Sequence, residues 1–323
     1  MRRLIRVAVI LAIIALIVFL LTPSRLVNSA VVPALPDDLD SYLAASEAEA
    51  AARFPLIPNT EKRIRWQSPG QQTEWVIVYL HGFSATRQEI NPATELIADA
   101  LGANLFETRL TGHGRVEGVM REMRAEDWLD DAAEALAIGS RIGKRTILMG
   151  TSTGATLALA MAGHPAMDNV DAIIVMSPNF GPDDPAARWL TRPGGPLLAR
   201  LMLGDTRTWE ARNEQQALYW STSYPTAAVI EVMRLIDLAN DALSAPLEHS
   251  LLVLMSPNDG VVSPRLIREA LARIEAPRME LKQFDKVGDQ MNHVLAGDIL
   301  SPENTTAVVS TVVEFVQTGA VQA

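Results

Sequence analysis

Gly150-Thr151-Ser152-Thr153-Gly154 sets one hydroxyl between two glycines, directly after the apolar run Thr146 to Met149 and before small residues through Ala162. That is strand, turn, helix, with the serine at the bend. A turn this tight forces the serine into a strained backbone conformation and leaves room on either side only for glycine. The hydroxyl is thereby lifted off a sheet edge beside a helix amino end, whose dipole favours developing negative charge. A serine near its normal acidity is a poor nucleophile, so it needs a base to take its proton and an acid to orient that base. Alone the pattern arises by chance in roughly one chain of this length in ten. The remaining chain must supply the partners.

Five histidines are available. His81 and His113 precede the serine, His164 ends its helix, and His249 opens a strand. Only His293 falls in a loop after the last predicted strand, where a side chain can swing over the carboxyl edge of a sheet. Asp259, in Ser-Pro-Asn-Asp-Gly-Val-Val, lies just past the predicted strand Leu251 to Met255. Singly, His293 could be an ordinary loop histidine and Asp259 a turn carboxylate. Jointly they stand at the ends of the right elements. Backbone N–H groups of Phe83, in Tyr79-Leu80-His81-Gly82-Phe83-Ser84, and of Thr153 are where an oxyanion would be held. His81 reads as a structural hydrogen-bonder of that loop. Neither His81 nor His113 sits in a metal-binding spacing, and the chemistry requires no cofactor.

The elements that must position these groups alternate. Strands are predicted at Trp75 to Leu80, Asn104 to Leu110, Thr146 to Met149, Ala172 to Met176, Leu251 to Met255 and Met279 to Phe284. Helices are predicted at Asn91 to Leu101, Ala125 to Ile142, Pro264 to Ile274 and Thr305 to Val316. Such alternation means an α/β protein with a mainly parallel sheet and helices on both faces. Arg63 to Gln67 and Glu74 to Leu80 flank Ser68-Pro69-Gly70, which predicts a hairpin-like pair. From Gly181 to His249 helical patterns run without a predicted strand. Trp189, Trp209, Trp220, Tyr219 and Tyr224 concentrate there, and Val229, Met233 and Ile236 share one helix face. This insertion reads as a cap over the catalytic face, with some apolar residues lining an acyl pocket.

An apolar share of 48% with charge at 20% is that of a globular chain. The net charge of -10 argues against nucleic-acid binding and against docking on anionic lipid. Absence of cysteine removes disulfide and thiol chemistry. At the amino end, Arg2, Arg3 and Arg6 precede an apolar run of roughly fifteen residues, Val7 to Leu21. Two readings compete, an uncleaved membrane helix and a cleaved signal segment with a poor site at Asn28-Ser29-Ala30. Both send the rest of the chain across the membrane to the extracytoplasmic side, because the arginines stay inside. Residues 1–25 are thus an anchor or signal, and 26–60 a linker and a surface helix, Leu39 to Arg53, capped by Asp37 or Asp38.

Taken together, the HGF loop, Thr111-Gly112-His113-Gly114, Gly-Thr-Ser-Thr-Gly, Asn-Asp-Gly-Val-Val and the late His293 resemble the serine α/β-hydrolase superfamily. Within it they are most similar to the carboxylesterase and monoacylglycerol-lipase branch. The resemblance covers roughly Arg63 to Val316. It implies an α/β-hydrolase domain over 61–318 with a helical cap insertion at about 181–249. It also implies Ser152 as nucleophile, His293 as base, Asp259 as orienting acid, and an oxyanion hole that includes the HGF backbone. The expected activity is hydrolysis of apolar acyl esters. Two alternatives stay open. An aminopeptidase-like relative would use Asp183, Asp184, Glu210 and Glu214 to hold an amine, and a non-catalytic member would bind a ligand at the envelope.

Overall fold

The computed structural model describes residues 6, 10–14, 16, 25–116, 123–183 and 189–320. Among the described residues no helix is long and apolar enough to cross a membrane. The run Val7 to Leu21 lies mostly outside them, as do Arg2, Arg3 and Asp184.

Seven strands form one sheet in the order β1-β3-β2-β4-β5-β8-β9. They are β1 (Arg63–Arg65), β2 (Thr73–Leu80), β3 (Asn104–Glu107), β4 (Gly143–Thr151), β5 (Val170–Met176), β8 (Ser250–Met255) and β9 (Met279–Gln283). All neighbours run parallel except β1, which pairs antiparallel with β3. The expected hairpin of β1 with β2 is therefore corrected. β2 is flanked on both sides by parallel partners, so β1 pairs instead with the outer edge of β3.

Continuous apolar runs in the central strands follow from cover on both faces. Side chains alternate between those faces. Val76, Val78, Leu80, Leu148, Ile173, Val175, Leu251 and Val253 join the core on one side of the sheet. Ile77, Tyr79, Ile147, Met149, Ile174, Met176 and Leu252 join the core on the other. The first face is covered by α3 (Ala125–Ile142) and α4 (Thr153–Ala160), with Trp128 fully buried, while α7 (Thr226–Ala242) packs on α4 and α8 (Pro264–Leu271) adds Ile267 and Leu271 to the same core. The second is covered by α2 (Ala93–Leu101) and α9 (Thr305–Ala320), through Ile97, Val308 and Val312. The edge strand β9 is exposed throughout and carries Glu280 and Lys282, charges that discourage pairing with another chain.

Outside this core, α1 (Leu39–Arg53) is capped by Asp38 and buries Leu39, Leu43 and Glu47. The Glu47 carboxylate pairs in bidentate fashion with buried Arg109, at 3.0 and 3.1 Å, tying the helix to the loop after β3. Arg25 to Pro36 runs without regular structure against the domain, where Asn28 donates to the Ala160 carbonyl and Val31 to Asp130. Between β5 and β8 lie α5 (Gly195–Leu203), α6 (Glu214–Tyr219) and α7. This stretch also holds an antiparallel pair, β6 (Thr206–Thr208) with β7 (Ser223–Pro225), where no strand was expected. Three residues apiece, polar and exposed along β6, leave no alternating pattern to read.

The turn between β4 and α4 is held by close backbone approach. A Cβ on Gly154 would lie 2.1 Å from the Leu80 carbonyl oxygen, and one on Gly150 would lie 2.4 Å from that of Gly154. Neither neighbour is a flexible side-chain tip. Gly154→Ala should therefore push α4 off β2 and destabilise by about 3 kcal/mol or more. Differential scanning calorimetry would read this as a fall of about 6–12 °C in Tm. An unchanged Tm would show that the helix can move away at no cost.

Candidate active site

Ser152 is the N-cap of α4 and adopts φ 52°, ψ -116°, a left-handed conformation that side chains rarely take. The strain is held by the flanking glycines and by the Ser152 amide donating to the Met176 carbonyl at 2.8 Å. The bend expected from the sequence is thus present, with the serine at the carboxyl edge of the sheet.

Asp259 follows the end of β8 and is 8% exposed. Its Oδ1 accepts from the amides of Val261 and Val262 at 2.8 and 2.9 Å, so the carboxylate is locked in its own turn. Its Oδ2 lies 2.8 Å from His293 Nδ1. The turn carboxylate and the hydrogen-bond partner of His293 are therefore one and the same group. The two loops are joined again where the Gly260 amide donates to the Met291 carbonyl.

His293 is itself pinned by a residue that sequence reasoning missed. Asp289 Oδ2 accepts the His293 and Val294 amides at 3.0 and 3.1 Å, and its Oδ1 accepts that of Met291. Ser177 donates to the His293 carbonyl at 2.7 Å. A short Asp-x-x-x-His spacing is the only local trace of this clamp. Burial disfavours the imidazolium, but the Asp259 hydrogen bond and the charges of Asp259, Asp289 and Glu89 outweigh it. The His293 pKa stands above the ordinary 6.5.

Ser152, Thr153, Phe83 and His293 all line one cavity of about 610 Å³. With Nδ1 engaged by Asp259, the imidazole has only Nε2 left to offer a hydroxyl. Among the described residues no hydrogen bond joins Ser152 Oγ to His293, and in the absence of substrate such bonds are often long. The amides of Phe83 and Thr153 also make no hydrogen bond among the described residues, so both donors are free.

The loop that carries Phe83 is braced by two buried imidazoles. His81 Nε2 accepts the Leu110 amide at 3.0 Å while its Nδ1 lies 2.9 Å from the Gly82 carbonyl. His113 Nε2 accepts the Ser84 amide at 3.1 Å, with Nδ1 against the Thr111 carbonyl. Each accepts at Nε2, so each is neutral and protonated at Nδ1. Burial supports this, pushing His81 well below its usual pKa and His113 down to about 4. His81 is accordingly a structural hydrogen-bonder, as expected.

The insertion covers the cavity with Trp209, Trp220, Tyr224, Val229 and Val232. The Tyr224 and Phe83 rings meet edge to face at 4.9 Å, and the Ser221 amide donates to the Ser84 carbonyl. Trp189 is exposed, and Tyr219 packs on the core instead. Of the insertion's carboxylates, Glu210 lines the cavity, whereas Asp183 is turned to Ser263 and Arg265.

A family model described as the alpha/beta hydrolase family matches residues 77–303, well over half of the chain. No curated protein matches it. Among solved structures, the chain is similar to one reported with two metagenome-derived lipolytic enzymes, LipS and LipT. The TM-score is 0.66 at 18% identity, covering 81% of this chain and 99% of that one. A soluble variant of monoglyceride lipase from Saccharomyces cerevisiae, in complex with a substrate analogue, aligns with TM-score 0.59 and 12% identity over 82% and 98%. The monoacylglycerol lipase of Paleococcus ferrophilus aligns with TM-score 0.56 and 16% identity over 80% and 99%. At these identities the likeness speaks for the fold.

Proposed function

Because the chain belongs to the alpha/beta hydrolase family, we propose that it cleaves carboxylic esters through an acyl-enzyme on Ser152. The observation that carries this reading is the buried Asp259–His293 pair opening onto the same cavity as a serine held on a strained elbow. Ser152 Oγ attacks the ester carbonyl carbon and its proton passes to His293 Nε2. Asp259 holds the resulting imidazolium, and the Phe83 and Thr153 amides hold the oxyanion. Collapse breaks the bond to the leaving alkoxide, which takes the proton from Nε2. Water then gives a proton to Nε2, attacks the acyl carbon and releases the acid and Ser152.

Trp209, Trp220, Tyr224, Val229 and Val232 favour an uncharged apolar acyl group. The insertion that carries them is the cap of this site. The amino-terminal run after three arginines fits a domain held, or released after cleavage, on the extracytoplasmic side. The intact mass of the mature protein distinguishes those two outcomes.

Fluorophosphonate labelling of the full chain tests the nucleophile. An adduct mapped to Ser152, with turnover of a short acyl nitrophenyl ester, is expected. Folded protein that takes no label would instead be a non-catalytic member. The pH profile tests the base. Protonated His293 cannot accept the serine proton, so kcat/KM should rise with pH through a value above 6.5. An acid limb centred below that figure would detach His293 from the chemistry.

A further inference from the structure

Behind the loop that carries Phe83 lies a buried carboxylate with no part in the steps above. Glu89 closes the short 3-10 turn Arg87–Glu89 and is 2% exposed. Its Oε1 accepts the Gly82 amide at 2.6 Å and the Tyr79 hydroxyl at 2.6 Å. That hydroxyl also lies 2.9 Å from Thr151 Oγ1, on the residue just before Ser152. One carboxylate oxygen thus joins the end of β2, the loop after it and the end of β4. The fit leaves no slack, since a Cβ on Gly82 would lie 2.9 Å from Glu89 Oε2 and 3.4 Å from the Ser152 Cβ.

A carboxylate buried this deeply is costly unless well bonded. Burial pushes its pKa up to about 7, against the bonds from Tyr79 and Gly82 and the nearby His293, which lower it. None of the ion pairs among the described residues includes it. An apolar side chain would fill the same volume without burying a charge but would leave the Gly82 amide without its acceptor, so what the carboxylate adds is that acceptor. The Gly82 carbonyl is tied in turn by His81 Nδ1 and by the Ala85 amide at 3.2 Å. In a trans peptide the next N–H points opposite to that carbonyl. Fixing Gly82 at its amide and its carbonyl therefore fixes the direction of the Phe83 N–H.

We infer that Glu89 is a positioning residue for the oxyanion hole, aiming the Phe83 amide at the ester carbonyl oxygen by holding the Gly82 amide. The inference rests on the serine-hydrolase reading. Losing an oxyanion donor outright typically costs about 100- to 1,000-fold in kcat, and a displaced donor costs less.

The test compares Glu89→Ala with Glu89→Gln, which keeps an acceptor oxygen at the same reach. Steady-state kinetics on a short acyl nitrophenyl ester should show kcat reduced about 10- to 100-fold in Glu89→Ala at unchanged KM. Glu89→Gln should return to within about threefold of the parent. Glu89→Leu, which fills the same volume, replaces the alanine variant if that one does not fold. Parent-like kcat in the apolar variant, equal losses in both variants, or a rise in KM at constant kcat would each overturn the inference. Fluorophosphonate labelling of the parent separates the two failures. If Ser152 labels and the apolar variant keeps its kcat, only the role of Glu89 falls. If Ser152 does not label, the hydrolase reading falls with it.

Discussion

Ser152→Ala is expected to lower kcat for a short acyl nitrophenyl ester by about 10⁵- to 10⁶-fold, because Ser152 carries the hydroxyl of the strained elbow that opens onto the cavity beside His293. The residual rate would come from binding and the oxyanion amides alone. Stability should barely change. The substitution keeps the Cβ at the same left-handed backbone position, and the hydroxyl it removes makes no hydrogen bond among the described residues. Far-UV circular dichroism and Tm should therefore match the parent while turnover and labelling disappear. A variant that keeps one-hundredth of the parental kcat would point to another nucleophile.

The second large effect comes from a change of one atom. In Asp259→Asn the carbonyl oxygen should occupy the Oδ1 position, where the Val261 and Val262 amides already demand an acceptor. The new NH2 group then faces His293 Nδ1 at the former 2.8 Å contact. Two donors cannot share that line, so the imidazole must accept at Nδ1 and carry its proton on Nε2. A protonated Nε2 cannot take the serine proton. We expect kcat to fall about 10⁴-fold, with the turn and KM preserved. Nitrogen NMR of the His293 ring would show the exchanged tautomer. A kcat within tenfold of the parent would mean that Asp259 does not orient the base.

Much of the scaffold is legible in the chain because it is local. α1 and α3 begin and end where capping and apolar spacing predict, at Leu39–Arg53 and Ala125–Ile142. Strands buried on both faces announce themselves as unbroken apolar runs, as Val76 to Leu80 does. The partner of β1 is not legible, because its residues specify an extended segment and not which edge is vacant. β6 and β7 left no pattern, since strands of three partly polar residues owe their pairing to the fold around them.

At the site the same division holds. Residue types and their order named Ser152, Asp259 and His293, since a tight turn needs glycine and proton transfer needs an imidazole and a carboxylate. The candidate oxyanion donors at Phe83 and Thr153 follow likewise from position alone. What only tertiary structure decided is how those groups are held: by Asp289 beneath the histidine loop and Glu89 behind Gly82. Neither carboxylate carries a local sign of its burial in the linear chain. Their burial, and with it their strength as acceptors, is created by elements distant in sequence, and no local pattern encodes it.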